Sequence, residues 1–395
     1  MLLLDIVLFM PSLDLAMPIA LLIVVTVAML LNKRVEGKLK ATVEEKEFKT
    51  RDILLLIVFM AVIISVISYT SIISPGDVFQ NILLIIFLSS YTMLLFTFSY
   101  IFSKLTKMRA QLISLGFGIA AAVAGTASLL GPLADAFTVY RAGAFFGLAI
   151  FCFAAIVLEQ KKPVSKERWY VAAQPPIMFV LLFVFFNFLY GGALQVWYPV
   201  LMDVFGFTFA VLIILYLASM FNWKTVGLFA GLLTVMDIIL VIGTGTMVVA
   251  AQEFTGLGLP VLVYLPNVPI LMRDSALLFR GLGLGDFFFA GILATQTYNK
   301  FGKKTAFIAA VAMAVAFGIW EAFLPDILAW LQPIVGRSIG GFPGTLMIIS
   351  GWAPVIAWKL LTKRKVAELP VNEELAKQPD SAPSSSGLGT TEKAL

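Results

Sequence analysis

Long apolar runs alternate with short polar blocks along most of the chain. Charged residues gather in blocks such as 32–52, 103–109 and 159–168, and the apolar stretches between the blocks are about 20 residues long. A helix of that length crosses the hydrocarbon core of a lipid bilayer. The pattern therefore predicts an all-α fold, a polytopic bundle of about nine to eleven transmembrane helices. The predicted spans are 12–31, 53–73, 78–102, 110–133, 142–158, 171–191, 199–221, 226–250, 282–299, 305–331 and 339–361.

The same pattern divides the chain into three regions. Residues 1–225 are predicted N-terminal transmembrane helices, and residues 226–362 are predicted to form a catalytic transmembrane core that carries acidic groups inside apolar spans. Residues 363–395 are rich in Pro, Ser, Gly, Glu and Lys, a composition that buries too little apolar surface to offset the entropy lost on ordering. We expect this last region to be a disordered tail.

The charge distribution indicates a lipid partner. The chain is 60% hydrophobic and only 13% charged, which is more apolar surface than a soluble core of this length could hide. The formal net charge is +5, but the basic residues flank the apolar spans, where they meet lipid headgroups. We expect a lipid bilayer and no nucleic acid as partner. Because most basic blocks fall on one side of the predicted bundle, that side and the tail are predicted to be cytoplasmic.

The residue inventory excludes several classes of catalyst. The chain has no histidine and one cysteine, Cys152. The usual zinc ligand sets, histidine-ligated haem and histidine-assisted nucleophiles therefore cannot be assembled. A disulfide within the chain is impossible for the same reason. Carboxylates and lysines remain as catalysts, and no cofactor is expected.

Two aspartates lie where charge is costly. Asp237 is in the middle of the apolar segment 232–242, and Asp286 follows the glycine-rich segment 281–285 at the start of the next predicted span. Insertion scales give about 2.5 to 3.5 kcal/mol for an aspartate at the centre of a membrane helix, so such residues indicate a function. The two helices are consecutive, and hence antiparallel.

Both aspartates are predicted to lie at the same depth. Asp237 is 13 residues after Lys224, and Asp286 is 14 residues before Lys300, so each lies about 20 Å from the predicted cytoplasmic side. Two carboxyl groups a few ångströms apart share a proton, because both cannot ionise cheaply. Such a pair can hydrolyse a peptide bond. One carboxylate takes a proton from the attacking water, and the protonated partner polarises the carbonyl oxygen.

The residues around Asp286 favour access by water and by an extended peptide. Gly283 and Gly285 weaken the start of the helix and allow another backbone to approach closely. The run 259–266, framed by prolines and containing Leu262 and Val263, is β-prone. Two interpretations of that run are open: a plain connecting loop, or an edge strand that holds an unwound substrate segment beside Asp286.

The residues from 226 to 361 resemble the presenilin and signal peptide peptidase family of intramembrane aspartyl proteases, particularly its microbial members. Family members carry Tyr-Asp in one helix, Gly-x-Gly-Asp in the next and Pro-Ala-Leu in the last. The similar positions here are Met236-Asp237, Gly283-Leu284-Gly285-Asp286 and Pro343-Gly344-Thr345. Methionine thus replaces the tyrosine, and Gly-Thr replaces Ala-Leu. The resemblance implies that Asp237 and Asp286 are the catalytic pair and that Met236, Gly283, Gly285 and Pro343 shape the active site.

The predicted function is hydrolysis of peptide bonds within transmembrane segments or signal peptide remnants, and the expected partners are transmembrane polypeptides. Alternatives stay open. Buried aspartates also suit a proton-coupled transporter, although the internal repeat typical of such carriers is not visible in the chain. A proteolytically inactive relative would keep the same fold. Prepilin peptidases also use Gly-x-Gly-Asp, but a lysine usually follows the aspartate, whereas Phe287, Phe288 and Phe289 follow here.

Overall fold

The chain folds as a bundle of helices. The computed structural model describes residues 14–42, 47–73, 77–102, 105–131, 136–161, 168–189, 196–270, 272–273, 276–277 and 279–368. The helices are α1 (Ala16–Thr42), α2 (Thr50–Ile73), α3 (Asp77–Ile101), α4 (Lys107–Leu130), α5 (Thr138–Lys161), α6 (Trp169–Ala172), α7 (Gln174–Phe183), α8 (Met202–Ala218), α9 (Trp223–Ile238), α10 (Thr246–Gly256), α11 (Leu284–Phe301), α12 (Lys303–Ala322), α13 (Leu324–Val335) and α14 (Gly344–Glu368). Three π-helical turns adjoin them, Val184–Phe188 after α7, Trp197–Leu201 before α8 and Ile239–Thr244 after α9.

Most of these helices have the length and composition of membrane spans. Within the described ranges, nine helical segments are long and apolar enough to cross a bilayer: Thr50–Thr70, Phe79–Ile101, Lys107–Leu130, Thr138–Gln160, Trp169–Phe188, Trp197–Ala218, Trp223–Thr244, Lys303–Ala322 and Gly344–Thr362. The predicted spans 12–31 and 282–299 also coincide with helices, but the first has a shorter apolar part and the second is not among the nine. The chain is therefore a multi-pass membrane protein, and the predicted all-α polytopic bundle is confirmed.

Two predicted spans are interrupted. The segment 226–250 is divided at Gly245, whose φ of 75° lies in the left-handed region where helices end. The segment 305–331 is divided at Phe323, and Pro325 follows in the first turn of α13. Proline is typical of a first helical turn because it has no N–H to donate to the turn before it. Apolar composition alone therefore overestimated the length of both helices.

The last helix is displaced towards the C-terminus relative to the prediction. It begins at Gly344, directly after Pro343, and runs to Glu368, whereas the predicted span was 339–361. The helix thus continues past the predicted boundary at 363. The remainder of the predicted tail, 369–395, lies outside the described residues.

Helix α11, which carries Asp286, is at the centre of the bundle. Every residue from Phe287 to Thr297 is buried, as expected for a helix enclosed on all sides. It packs against α1, α8, α9 and α12. Gly291 of α11 lies close to α8, and a Cβ atom at this position would overlap the side chain of Ile214. Asp286 itself, in the first turn and ahead of this buried stretch, is partly buried.

A β-hairpin connects α10 to α11. Strand β1 (Leu262–Pro266) pairs antiparallel with β4 (Phe279–Gly283), with Leu262 opposite Gly283 and Tyr264 opposite Gly281. A smaller antiparallel pair, β2 (Met272–Arg273) with β3 (Ala276–Leu277), lies between them in sequence. Thus residues 262–266 of the β-prone run 259–266 form a strand, and the run is not a plain loop. The glycine-rich segment before Asp286 is also largely strand, since α11 begins only at Leu284.

The hairpin is attached to the helices around it. The buried Asp203 carboxylate of α8 accepts a hydrogen bond from the backbone N–H of Tyr264 at 2.7 Å. Asp14, just before α1, accepts one from the backbone N–H of Val268 at 2.8 Å. Arg280 of β4 forms an ion pair of 2.9 Å with Glu321 near the end of α12. These contacts fix the strand that leads into Asp286.

Candidate active site

Asp237 is held by the beginning of the last helix. It lies in the final turn of α9, and its side chain is 8% exposed, so its polar atoms need partners within the protein. Thr345, the second residue of α14, supplies two hydrogen bonds to Oδ2. Its hydroxyl donates at 2.7 Å and its backbone N–H at 3.3 Å. That N–H is one of the donors that a helix leaves unpaired at its start, where a carboxylate is favoured.

The C-terminal end of α9, the helix of Asp237, changes into a π-helical turn whose carbonyl groups are capped by Arg337. Beyond Ile238 the helix widens into the π-helical turn, which ends at Gly245. Arg337, in the connection between α13 and α14, donates from Nη2 to the carbonyl oxygens of Val241 at 3.2 Å and Ile242 at 2.6 Å. A guanidinium at a helix C-terminus satisfies carbonyl groups and opposes the negative end of the helix dipole. The connection that precedes α14 is therefore fastened to the helix of Asp237.

Asp286 reaches the residue next to Thr345. It is in the first turn of α11, and its carboxyl group lies against Gly344, the first residue of α14. A Cβ atom on Gly344 would lie 2.6 Å from Cγ and 2.8 Å from Oδ2 of Asp286, far closer than carbon atoms pack. Only glycine leaves room for the carboxyl group in this position.

The two carboxyl groups thus meet at consecutive residues of one helix start. Asp237 bonds to Thr345 while Asp286 contacts Gly344, so the two carboxyl groups lie beside neighbouring residues of α14. Three separate helices, α9, α11 and α14, each contribute one part of this arrangement. Both aspartates therefore reach the same level of the bundle, inside a membrane protein, where two negative charges together are unfavourable.

The other residues predicted to shape the site surround this point to different extents. Gly283 ends β4, and a Cβ atom on it would lie 3.4 Å from Oδ2 of Asp286, an ordinary contact distance; around Gly285 there is open space. Met236 is buried in α9. Pro343 directly precedes Gly344, and its carbonyl oxygen accepts a hydrogen bond from Met347 at 3.4 Å.

Leu262 and Val263, also predicted to shape the site, belong to strand β1 of the hairpin. Leu262 is opposite Gly283 in the sheet, and the fully buried Val263 packs towards Gly206 of α8, where a Cβ atom would approach within 2.9 Å of it. Strand β4 lies next to them in the sheet and leads into the helix of Asp286. Their pairing with β4 is the contact that links them to the segment before Asp286, and their predicted role in shaping the site stays a prediction.

Three contributing residues were not among the predicted site residues. Gly344 and Thr345 entered the sequence analysis only as departures from a family pattern, and Arg337 was not singled out there. The sequence offered one sign of Thr345: it is a hydroxyl-bearing residue that follows the pair Pro343-Gly344 at the start of an apolar segment. Such a residue is suited to a helix start, but nothing in the sequence joined it to Asp237, 108 residues away.

Within the part of the chain that the structure describes, no three Cys, Asp or Glu side chains come together as metal ligands. Comparison with known proteins adds no family assignment, because no protein-family model, curated protein or solved structure matches the chain.

Proposed function

We propose that the chain is an intramembrane aspartyl protease, with Asp237 and Asp286 as its catalytic pair. Its substrates would be transmembrane segments or signal peptide remnants. The observation that carries the proposal is the placement of two carboxyl groups, from α9 and α11, beside Thr345 and Gly344 at the start of α14. The sequence resembles the presenilin and signal peptide peptidase family at three places, around Asp237, before Asp286 and at 343–345. These places carry the two carboxyl groups and the start of α14 that both of them contact. We therefore also propose membership of that family, with a catalytic core formed by α9 to α14.

The proposed reaction uses one proton shared between the two carboxyl groups. Two like charges held beside neighbouring residues of one helix cannot both persist at low cost, so one group is protonated and the other ionised. The ionised group removes a proton from a water molecule as its oxygen attacks the peptide carbonyl carbon. The protonated group donates a hydrogen bond to the carbonyl oxygen, on which negative charge develops. Proton transfer to the leaving nitrogen completes the cleavage and returns the pair to its starting state.

The hairpin supports a means of holding the substrate. A transmembrane helix exposes no peptide bond to attack, because its N–H and C=O groups are paired within it. The backbone N–H of Tyr264 points away from β4, because it donates to Asp203 on the other side of β1. In the antiparallel register Gly281 is opposite Tyr264, so its own backbone groups point away from β1, as do those of Gly283. We infer that an unwound substrate pairs with this edge of β4 at Gly281, because the backbone of Gly283 already bonds to the carboxyl group of Asp286.

The test is cleavage of defined membrane substrates by the purified, full-length protein in liposomes. The substrates are single-span peptides with about 20 apolar residues, with and without a central Gly-Pro, and two signal peptides. Products are identified by mass. The wild type is expected to cut at least one peptide within its apolar segment. Asp237→Asn and Asp286→Asn are each expected to reduce kcat by at least about 10⁴-fold, the scale seen when one member of a catalytic group is removed.

Asp326→Asn is the matched control, because Asp326 is an exposed acid in the first turn of α13 and away from the pair. It should cleave as the wild type does. Full activity in Asp286→Asn would refute the assignment. If no peptide is cut, and the same aspartate variants instead abolish pH-gradient-driven uptake of a solute, the transporter alternative replaces the protease.

A further inference from the structure

Thr345 differs from the other side chains around the aspartates because it binds one of them directly. Its hydroxyl is 2.7 Å from Oδ2 of Asp237, and its backbone N–H donates to the same oxygen. The side chain is 5% exposed, so bulk water does not compete strongly for these bonds. In the family that the sequence resembles, the corresponding position is an apolar leucine. The hydroxyl is therefore a feature of this chain that the resemblance does not supply.

Two donors on one oxygen fix a carboxyl group in two respects. They hold its plane, because a carboxylate accepts hydrogen bonds close to that plane. They also distinguish its oxygens, since Oδ2 is engaged with α14 and Oδ1 is left to accept a proton from water. A base must be within hydrogen-bond reach of the proton that it removes, so orientation of this kind affects the rate directly.

We propose that Thr345 is a positioning residue for the reaction, which aims Oδ1 of Asp237 at the attacking water. This inference rests on the proposed protease function. It also gives the Pro343-Gly344-Thr345 segment two separate roles, since Gly344 makes room for Asp286 and Thr345 orients Asp237. Thr345 itself takes no part in bond making or breaking, because its hydroxyl is donated to the carboxylate throughout.

Matched pairs of variants isolate the hydroxyl group. Thr345→Val keeps the shape of threonine and removes the oxygen, while Thr345→Ser and Thr345→Ala differ from each other only by that oxygen. Thr362→Val is the control, because Thr362 is an exposed threonine on the same helix whose hydroxyl bonds to the carbonyl of Trp358. Each full-length variant is reconstituted in liposomes with whichever single-span peptide the wild type cleaves best. The measurements are kcat, KM for the peptide, and the melting temperature of the protein.

Removal of the hydroxyl is expected to lower kcat by about 10- to 100-fold, the equivalent of one hydrogen bond to a charged group. KM should stay unchanged, because substrate binding does not use this bond. Thr345→Ser should restore most of the kcat that Thr345→Ala loses, and Thr362→Val should match the wild type. The two matched pairs make the result independent of whether any one variant folds poorly.

The outcome that overturns the inference is equal kcat in Thr345→Ser and Thr345→Ala, or a loss that follows melting temperature and not the presence of oxygen. If the wild type cleaves the peptide and Asp286→Asn does not, either result would remove only the role of Thr345 and leave the protease assignment in place. A wild-type protein that cleaves none of the peptides would refute the protease assignment, and the role of Thr345 with it.

Discussion

Replacing Gly344 with alanine tests the packing on which the site depends. The substitution restores the residue that the presenilin and signal peptide peptidase pattern has at this position, so similarity alone predicts that it is harmless or beneficial. The structure predicts the opposite. A Cβ atom at position 344 would lie 2.6 Å from Cγ and 2.8 Å from Oδ2 of Asp286. Because carbon atoms pack at about 3.5 to 4.0 Å, the carboxyl group or the start of α14 must move by about 1 Å.

The expected effect follows from that displacement. A misplacement of about 1 Å in a catalytic group costs about 100-fold in rate, which corresponds to about 2.7 kcal/mol of activation free energy. We therefore expect Gly344→Ala to lower kcat about 100-fold. The melting temperature should change little, because the clash falls on a short polar side chain that can rotate at a cost of about 0.5–1.5 kcal/mol.

The assay is cleavage of a single-span peptide in liposomes, with Gly341→Ala as the matched control. Gly341 is in the same connecting segment, and a Cβ atom there would meet only Val248 at 3.5 Å and Val241 at 4.0 Å. That control should be as active as the wild type. Wild-type kcat in Gly344→Ala would refute the reasoning, because it would mean that Asp286 does not lie against the start of α14.

Two further predictions concern the supports of the site. Arg337→Met removes the donors to the carbonyl groups of Val241 and Ile242 and is expected to lower the melting temperature and kcat together. Arg337→Lys should recover part of both. An unchanged melting temperature in the methionine variant would contradict the capping role. Asp203→Leu should destabilise the protein by about 1–3 kcal/mol, because it leaves the N–H of Tyr264 without its acceptor. Asp203→Asn keeps an acceptor oxygen and should be much milder, as measured by urea or thermal unfolding in detergent; equal losses in the two variants would mean that the carboxylate has another role.

The sequence was sufficient for the class of fold, and it singled out the two aspartates as candidates. Apolar segments of about 20 residues between charged blocks located the helices, because a membrane span is specified mainly by composition. Asp237 and Asp286 were identifiable because charge inside such a segment is costly, and counting residues from the flanking lysines placed them at equal depth. Each of these inferences uses residues that are close together in the sequence, so none of them requires knowledge of contacts between distant segments.

The remaining features depend on contacts between distant segments. Gly245 divides a helix that hydropathy reads as continuous, because a single left-handed residue does not change the composition. The partner of β1 is β4, and pairing between two β-prone segments depends on the register of the whole connection. Thr345 meets Asp237 across 108 residues, and no periodic pattern encodes that contact. The assignment of a cytoplasmic side stays a prediction, since it rests on the distribution of lysine and arginine alone.

Cysteine cross-linking tests the central geometry most directly. Cys152 is the only cysteine, so Cys152→Ser gives a background without thiols. Cysteines at Gly344 and Asp286 would be side by side, because a Cβ atom at position 344 would lie 2.6 Å from Cγ of Asp286, and a disulfide joins Cβ atoms about 3.5–4.5 Å apart. A pair at Gly340 and Val248, where the two Cβ atoms would be 3.9 Å apart, is the positive control for oxidation in membranes.

We predict that oxidation joins the Asp286→Cys and Gly344→Cys pair as completely as the control pair. If the control pair forms its disulfide while the Asp286→Cys and Gly344→Cys pair does not, Asp286 does not lie against the start of the last helix, and the proposed active site does not exist.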